Sequence, residues 1–261
     1  MSGGPPKKAL GQHFLVDRNL LDVVGRLADL GGKDVVLEIG SGHGILTRYL
    51  AERVSVVHAV EIDRSLEHRL AGALEGCDNV RLHWGDALRL DLAALAPAPR
   101  KLVANIPYNV ATPVAVETVI GLPSIGAWCV MVQREVADRL FALPSTKAYG
   151  SVSVVVQLAT RRTGLHPVSR HVFRPPPRVE SALVAFERVA APATLDAVRS
   201  IVVAAFAHRR KTLANSLALG GVVRREQAVA ALSAVGRPAS VRAEALAPAE
   251  FVALEEALRS C

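Results

Sequence analysis

Aromatic side chains are scarce in this sequence: six Phe, three Tyr and two Trp make up 4% of its 261 residues. A core built with so few rings has to be packed from Ala, Val and Leu, and a hydrophobic fraction of 51% supplies them. Cysteine is nearly absent as well. Cys77, Cys129 and Cys261 are scattered and form no CxxC pair, which argues against a disulfide framework and a cysteine-rich zinc site. No metal is expected. No apolar run approaches the roughly 20 residues of a membrane span, and the opening MSGGPPKKALGQHFL is basic but lacks the apolar stretch of a secretory signal. The expectation is a cytoplasmic protein in a reducing compartment, working as a monomer.

Positive charge is in excess: 31 Lys and Arg against 24 Asp and Glu leave a net +7 at pH 7. Such a surface suits a polyanionic partner, but equally a merely soluble protein, so motifs must decide. The length suggests one large domain with a smaller appendage. Residues 1–8 are rich in Gly, Pro and Lys and read as a flexible arm, taken here to extend through residue 15. Leu20, Val24, Leu27 and Leu30 then recur at helical spacing, and Gly31–Gly32 should end that helix. Val35–Ile39, Ser55–Ile62, Val80–Trp84, Leu102–Ile106 and Trp128–Val132 read as buried strands alternating with helices. That order predicts an α/β domain with a parallel sheet covered on both faces. SVSVVVQL, residues 151–158, favours a strand by its β-branched content but lies where a helix is needed, and it stays open. Val179–Val189 alternates like a strand, after a rigid Pro175–Pro177 turn. From residue 190 to 261 the segments are helical and rich in Ala and Leu, so a small α-helical domain is expected there, with 1–189 as the catalytic domain.

The chemistry is written at the strand ends. Val35-Val-Leu-Glu-Ile-Gly-Ser-Gly-His-Gly44 is a strand running into a glycine turn before a helix, with Gly40, Gly42 and Gly44 allowing close approach of backbone to ligand. Its GxGxG spacing departs from the GxGxxG of dinucleotide folds, and the preceding Glu38 adds an acid that those folds do not require. Glu61, 21 positions after Gly40, ends the next strand, where a carboxylate can accept from both hydroxyls of a ribose. Asp86 ends the third, where it could accept from an adenine amino group. Three acids on one rim point to an adenosyl compound.

The fourth strand ends in Asn105-Ile-Pro107-Tyr108-Asn109. An exocyclic adenine nitrogen is a poor nucleophile because its lone pair is delocalised into the ring. If the Asn105 oxygen and the carbonyl of Ile106 or Pro107 accept its two hydrogens, the nitrogen becomes pyramidal and its lone pair is aimed, without a strong base. Pro107 fixes the turn, and Tyr108 offers a ring on which a flipped base can stack.

With these motifs in hand, the sequence resembles the KsgA-type ribosomal RNA adenine dimethyltransferases over nearly its whole length. The resemblance runs through Lys8-Ala-Leu-Gly-Gln-His-Phe-Leu15, Glu38–Thr47, Glu61-Ile-Asp63, Gly85-Asp86-Ala87, Asn105–Tyr108 with Thr112-Pro113, Gln133-Arg-Glu-Val136 and Lys147-Ala-Tyr-Gly150. It continues in Phe173-Arg-Pro-Pro-Pro-Arg-Val-Glu-Ser-Ala-Leu183 and Phe206-Ala-His-Arg-Arg-Lys-Thr-Leu-Ala-Asn-Ser-Leu217. It implies a Rossmann-like class I methyltransferase core with a small helical C-terminal domain that binds RNA. The implied cofactor is S-adenosylmethionine, and the implied targets are two adjacent adenines in the terminal hairpin of small-subunit rRNA, each receiving two methyl groups. By the same implication His13 and Leu15 cover the cofactor, Gly40 and Gly42 line it, Glu61 with Ile62 holds the ribose, and Asp86 with Ala87 holds the adenine. Asn105 serves cofactor and target, and Phe173 is the second face of a base sandwich opposite Tyr108. Ser41 stands where the family more often has Pro, a departure of little consequence while the glycines remain. The family has a helix at 151–158.

Two rival readings share these features: an Erm-type methylase of large-subunit rRNA, and a non-catalytic nucleic-acid-binding factor on the same fold. RRKTLANSL and PPPRVESAL favour the KsgA side, and intact Glu61, Asp86 and NIPY favour catalysis. Arg209, Arg210 and Lys211 are expected to contact RNA phosphates rather than form a solvated helix face. His166 and His171 read as surface loop residues, and Trp84 and Trp128 as core.

Overall fold

The computed structural model describes residues 12–260. Most of the arm expected to be flexible, and Cys261, lie outside the described residues. The chain divides into two compact units: one holds the residues up to Ala137 with Arg161–Arg188, the other Asp138–Thr160 with the residues from Val189 onward. The segment 138–160 thus sorts with the C-terminal helices, where a contiguous division near residue 190 had been expected.

In the first unit the apolar runs become strands β2 (Val35–Ile39), β3 (Val56–Glu61), β4 (Val80–Trp84), β5 (Lys101–Asn105) and β6 (Ala127–Gln133), after a short β1 (Phe14–Leu15). These are joined by β7 (Thr160–Val168), β8 (Phe173–Arg174) and β9 (Ser181–Arg188). The main sheet has the order β4-β3-β2-β5-β6-β9-β7, while β1 and β8 form a separate two-stranded ribbon. Strands β2 to β6 pair in parallel, but β9 runs antiparallel to β6, so the sheet is mixed rather than wholly parallel. No α-helix intervenes between β7 and β9, and without such a crossover a returning chain has no simple route to parallel pairing. The apolar runs did not reveal β7, an edge strand with exposed Arg161 and Arg162 that includes Gly164 and Pro167.

Both sheet faces are covered. On one, Val36, Val57, Ala59, Val103, Cys129 and Met131 pack with Leu20, Leu21 and Val24 of α1 (Asn19–Leu27) and Leu46 and Leu50 of α2 (Ile45–Ala51). Helix α1 ends before the glycines, because Asp29 turns the backbone left-handed at φ 46°. The sequence had placed the stop at Gly31. On the other face the indole of Trp128 donates to the Thr118 hydroxyl on α4 (Ala111–Gly121) at 3.1 Å and stacks on Phe186 of β9 at 5.1 Å. Trp84, expected in the core, is only half-buried. After α3 (Glu67–Ala73) and β4 the chain reverses its direction of growth, placing β3 and β5 on either side of β2. A crevice at the carboxyl ends of the strands follows from that switch.

The second unit holds α6 (Ser151–Ala159), α7 (Leu195–Ala207), α8 (Leu213–Leu219), α9 (Arg225–Ala234) and α10 (Pro248–Arg259), with α5 (Arg134–Leu140) running across the division. Residues 151–158 are therefore helical despite their β-branched content. Valine costs at most about 0.7 kcal/mol per position in a helix, whereas burying it contributes about 1.5–3 kcal/mol. Val154, Val155 and Val156 are all at most 3% exposed, so burial wins. Ser153 fastens the first turn, accepting from the Gly150 N–H and donating to the Arg139 carbonyl.

Replacing Thr118 by its isostere tests the packing of α4. Thr118→Val should leave the buried indole N–H unpaired and destabilise the protein by about 1–3 kcal/mol, read as a lower urea midpoint. An unchanged midpoint would contradict the assignment.

Candidate active site

The crevice is lined by residues 12–15 of the N-terminal segment, by Glu38 of β2 with Gly40, Ser41, Gly42 and His43 after it, by Glu61 at the end of β3 with Ile62, and by Asn105 at the end of β5 with the residues to Tyr108. An adjoining apolar recess shares Gly40, Glu61, Ile62 and Pro107 and adds Asp86, Ala87, Leu88, Val110 and Val114. His13, Leu15, Gly40, Gly42, Glu61, Ile62, Asp86, Ala87, Asn105, Pro107 and Tyr108 are thereby gathered at one place.

Glu61 organises the glycine turn. Buried at 6% exposure, its carboxylate accepts the Gly42 N–H at 2.8 Å on one oxygen and the Asp63 N–H at 2.9 Å on the other. A carboxylate has about four acceptor positions, so each oxygen retains room for a further donor. Gly40 sits at φ +85°, and a Cβ there would lie 3.0 Å from Pro107 Cδ. Only glycine lets the first turn close against the NIPY segment in this way. Asp86, half-buried, accepts the Leu88 N–H at 3.0 Å and has Arg89 at 3.6 Å.

The Asn105 amide has a fixed sense. Its Nδ2 donates to the main-chain carbonyl of His13 at 3.2 Å, and since a carbonyl only accepts, the amide oxygen is the end left for a donor. The Pro107 carbonyl already accepts the Val110 N–H at 3.0 Å. The Tyr108 hydroxyl meets Ser181 Oγ at 2.5 Å, and its ring lies 5.2 Å from that of His13. Burial raises the Tyr108 pKa above its usual value, so the hydroxyl stays protonated at neutral pH.

The structure does not bring Phe173 to the crevice. Its ring is 1% exposed and packs in the core with Leu15 and Val168. As folded here, the ring beside Tyr108 is that of His13. The basic run is also placed differently from expectation: His208 to Lys211 form an exposed turn after α7, not part of a helix. Arg209 is partly occupied within its own unit, donating to the Tyr149 carbonyl at 3.1 Å and facing Glu244 at 3.5 Å. The side chains of Arg210 and Lys211 have no hydrogen bond or ion pair among the described residues. His171 is exposed as expected, whereas His166 lies half-buried in β7.

Several participants had no individual role assigned from the sequence. Phe14 stacks on His43 with centroids 3.6 Å apart, closing one wall, and burial with the nearby Arg69 lowers the His43 pKa to about 4. Gln12 Nε2 donates to Asp63 at 2.9 Å. Glu38, counted in the sequence among the three rim acids, is 1% exposed with one carboxyl oxygen unpaired among the described residues. Burial, reinforced by the negative charge of Glu61, raises its pKa to about 8. A buried acid with an orphaned oxygen, lining a cleft beside a second buried carboxylate, fits a ligand whose positive charge would favour its ionised form. The apolar recess ending in Asp86 fits a flat heterocycle with an amino group.

A sheet reversing at β2, a glycine turn braced by an acid on the next strand, and an asparagine at the end of β5 together define a class I methyltransferase. The chain belongs to the family described as ribosomal RNA adenine dimethylase, which matches residues 5–258. It is 48% identical over 250 residues to the ribosomal RNA small subunit methyltransferase A of Rubrobacter xylanophilus, covering 95% of this chain and 94% of that one. Among solved structures, a dimethyladenosine transferase from Plasmodium falciparum shares the fold with a TM-score of 0.77 at 24% identity, over 93% of this chain and 96% of the other. The 23S rRNA methyltransferase ErmE superposes with a TM-score of 0.69 at 29% identity, over 94% of this chain and 99% of the other. The protein is thus an rRNA adenine methyltransferase. Among the described residues no helix is long and apolar enough to cross a membrane.

Glu38 gives the site a signature in stability. Below pH 4.5 it is protonated in both folded and unfolded chains. Between pH 4.5 and about 8 the unfolded chain ionises while the folded one stays protonated, so stability falls as pH rises and levels off above about 8. Glu38→Gln should therefore gain stability relative to the wild type across that window. Denaturant titrations showing a pH-independent difference would contradict the assignment.

Proposed function

We propose that this chain transfers methyl groups from S-adenosylmethionine to the N6 amines of two adjacent adenines in the 3′-terminal hairpin of small-subunit rRNA, two to each, during ribosome biogenesis. The observation that carries the reading is the fixed Asn105 amide, whose oxygen is the end left for a donor in the crevice. Bound S-adenosylmethionine would supply a methyl group made electrophilic by its sulfonium. Glu61 would receive the ribose hydroxyls on its two remaining acceptor positions, and the Asp86 recess the adenine ring. Glu38 and its acidic neighbours suit the cationic end.

The target amine needs two acceptors. Asn105 Oδ1 is one, and because the Pro107 carbonyl is taken by Val110, the Ile106 carbonyl is favoured as the other. With both N–H bonds directed, the nitrogen lone pair turns out of the adenine plane. Tyr108, its hydroxyl tied to Ser181, presents a stationary face for the extruded base. Arg210 and Lys211 suit phosphate contacts better than Arg209, which has partners of its own. The small-subunit target is supported by the closer likeness to the Rubrobacter small-subunit enzyme, 48% identical, than to ErmE, 29% identical.

Labelled S-adenosylmethionine incubated with unmethylated small and large ribosomal subunits tests the reading. Label should appear as N6,N6-dimethyladenosine in small-subunit rRNA, and label confined to the large subunit would overturn it. Asn105→Ala should lower the single-turnover transfer rate by about 10²-fold or more, as expected for a lost alignment. The cofactor should still bind measurably. Near-normal transfer in this variant would show that another group aligns the amine.

A further inference from the structure

The segment 173–181 is fastened to the crevice at three points. Its start pairs with β1, Phe14 opposite Arg174 and Leu15 opposite Phe173. The Pro175 carbonyl accepts from His13 Nδ1 at 2.7 Å, and Ser181 meets Tyr108. Directly opposed residues of a two-stranded ribbon share a face, and successive residues alternate. Leu15 and Phe173, 6% and 1% exposed, turn into the core, so Phe14 and Arg174 share the other face. Phe14 lines the crevice. Arg174 therefore stands at its mouth. Arg178, beyond the buried Pro177, is exposed in the same loop.

Neither arginine side chain makes a hydrogen bond or ion pair among the described residues. The nearby acid, Glu180, is already engaged by Arg170, which donates its backbone N–H at 2.9 Å and places its guanidinium 4.0 Å away. Two uncompensated guanidiniums are thus carried on a segment that is fastened to an opening whose interior is acidic. That separation of charge suits a ligand with a neutral base inside and phosphates outside. Three consecutive prolines hold the loop stiff, which lowers the entropy lost on binding.

We propose that Arg174 and Arg178 grip the RNA phosphodiester backbone beside the extruded adenine, as a second anion-binding surface on the catalytic unit, separate from the turn at 208–211. The proposal rests on the RNA-adenine reading above and names how that substrate is held at the cleft. Guanidinium forks bind phosphate bidentately and orient it, so the contact fixes the register of the strand as well as its affinity.

The test uses the full chain with unmethylated small ribosomal subunits. Affinity is measured across a salt series for the wild type, Arg174→Gln, Arg178→Gln and the double variant. Each removal should lower the log–log salt slope by about 0.7–0.9 and cut kcat/KM by about tenfold. Arg178→Lys should restore the slope. The affinity for S-adenosylmethionine alone should match the wild type in every variant. Unchanged slope and kcat/KM in the double variant would overturn the proposal, as would an equal loss of cofactor affinity, which would mark the arginines as supports of the β1–β8 ribbon. A wild-type protein that transfers no methyl group to the subunits would overturn the functional reading and this inference with it, a result distinct from failure of the variants alone.

Discussion

The carboxylate of Glu61 is the joint on which the site depends. It is buried at the end of β3, yet its two oxygens take N–H groups from two different turns, Gly42 after β2 and Asp63 after its own strand. A buried charge is costly unless hydrogen-bonded, and here those bonds draw the glycine turn towards the neighbouring strand. Once the turn is held, Gly40 can close on Pro107, and the end of β5 comes within reach of the same pocket. The sheet reversal at β2 provides the crevice, and Glu61 gives it a shape.

Around that joint the polar groups are arranged by what they still lack. Glu61 has acceptor capacity to spare, Glu38 has an unpaired oxygen, and Asn105 has turned its amide nitrogen to His13 and kept its oxygen. The interior is thus short of donors and of positive charge, which a cationic adenosyl cofactor and an amine would bring. The mouth carries the opposite bias in Arg174 and Arg178. Charge changes sign across the opening, as a nucleotide with its base inside and its phosphates outside requires.

The apolar runs of β2 to β6 and the acids at their ends were legible in the sequence because buried parallel strands are continuous hydrophobic segments ending at a shared rim. What could not be read depended on partners distant in sequence. The helix at 151–159 contradicts the preference of its own valines, since burial outweighs propensity there. The sheet is mixed because β9 returns without a crossover helix, which no local pattern discloses. Phe173 shares a motif with cleft residues yet points into the core, because its position opposite Leu15 fixes its side. The turn at 208–211 looked helical from its neighbours, but the chain breaks between α7 and α8. Asp29 ended α1 in place of the glycines, a choice among turn formers that composition leaves open.

The second unit was legible as helical, and its division from the first was not, since 138–160 joins it from the middle of the chain. The catalytic geometry itself lies within the first unit and turns on Glu61. Titration calorimetry of S-adenosylmethionine into Glu61→Gln tests it most directly, because the change preserves size and removes charge. The account predicts affinity weaker by about 10- to 150-fold, the equivalent of roughly 1.5–3 kcal/mol for hydrogen bonds to a charged acceptor. Affinity within twofold of the wild type would contradict it.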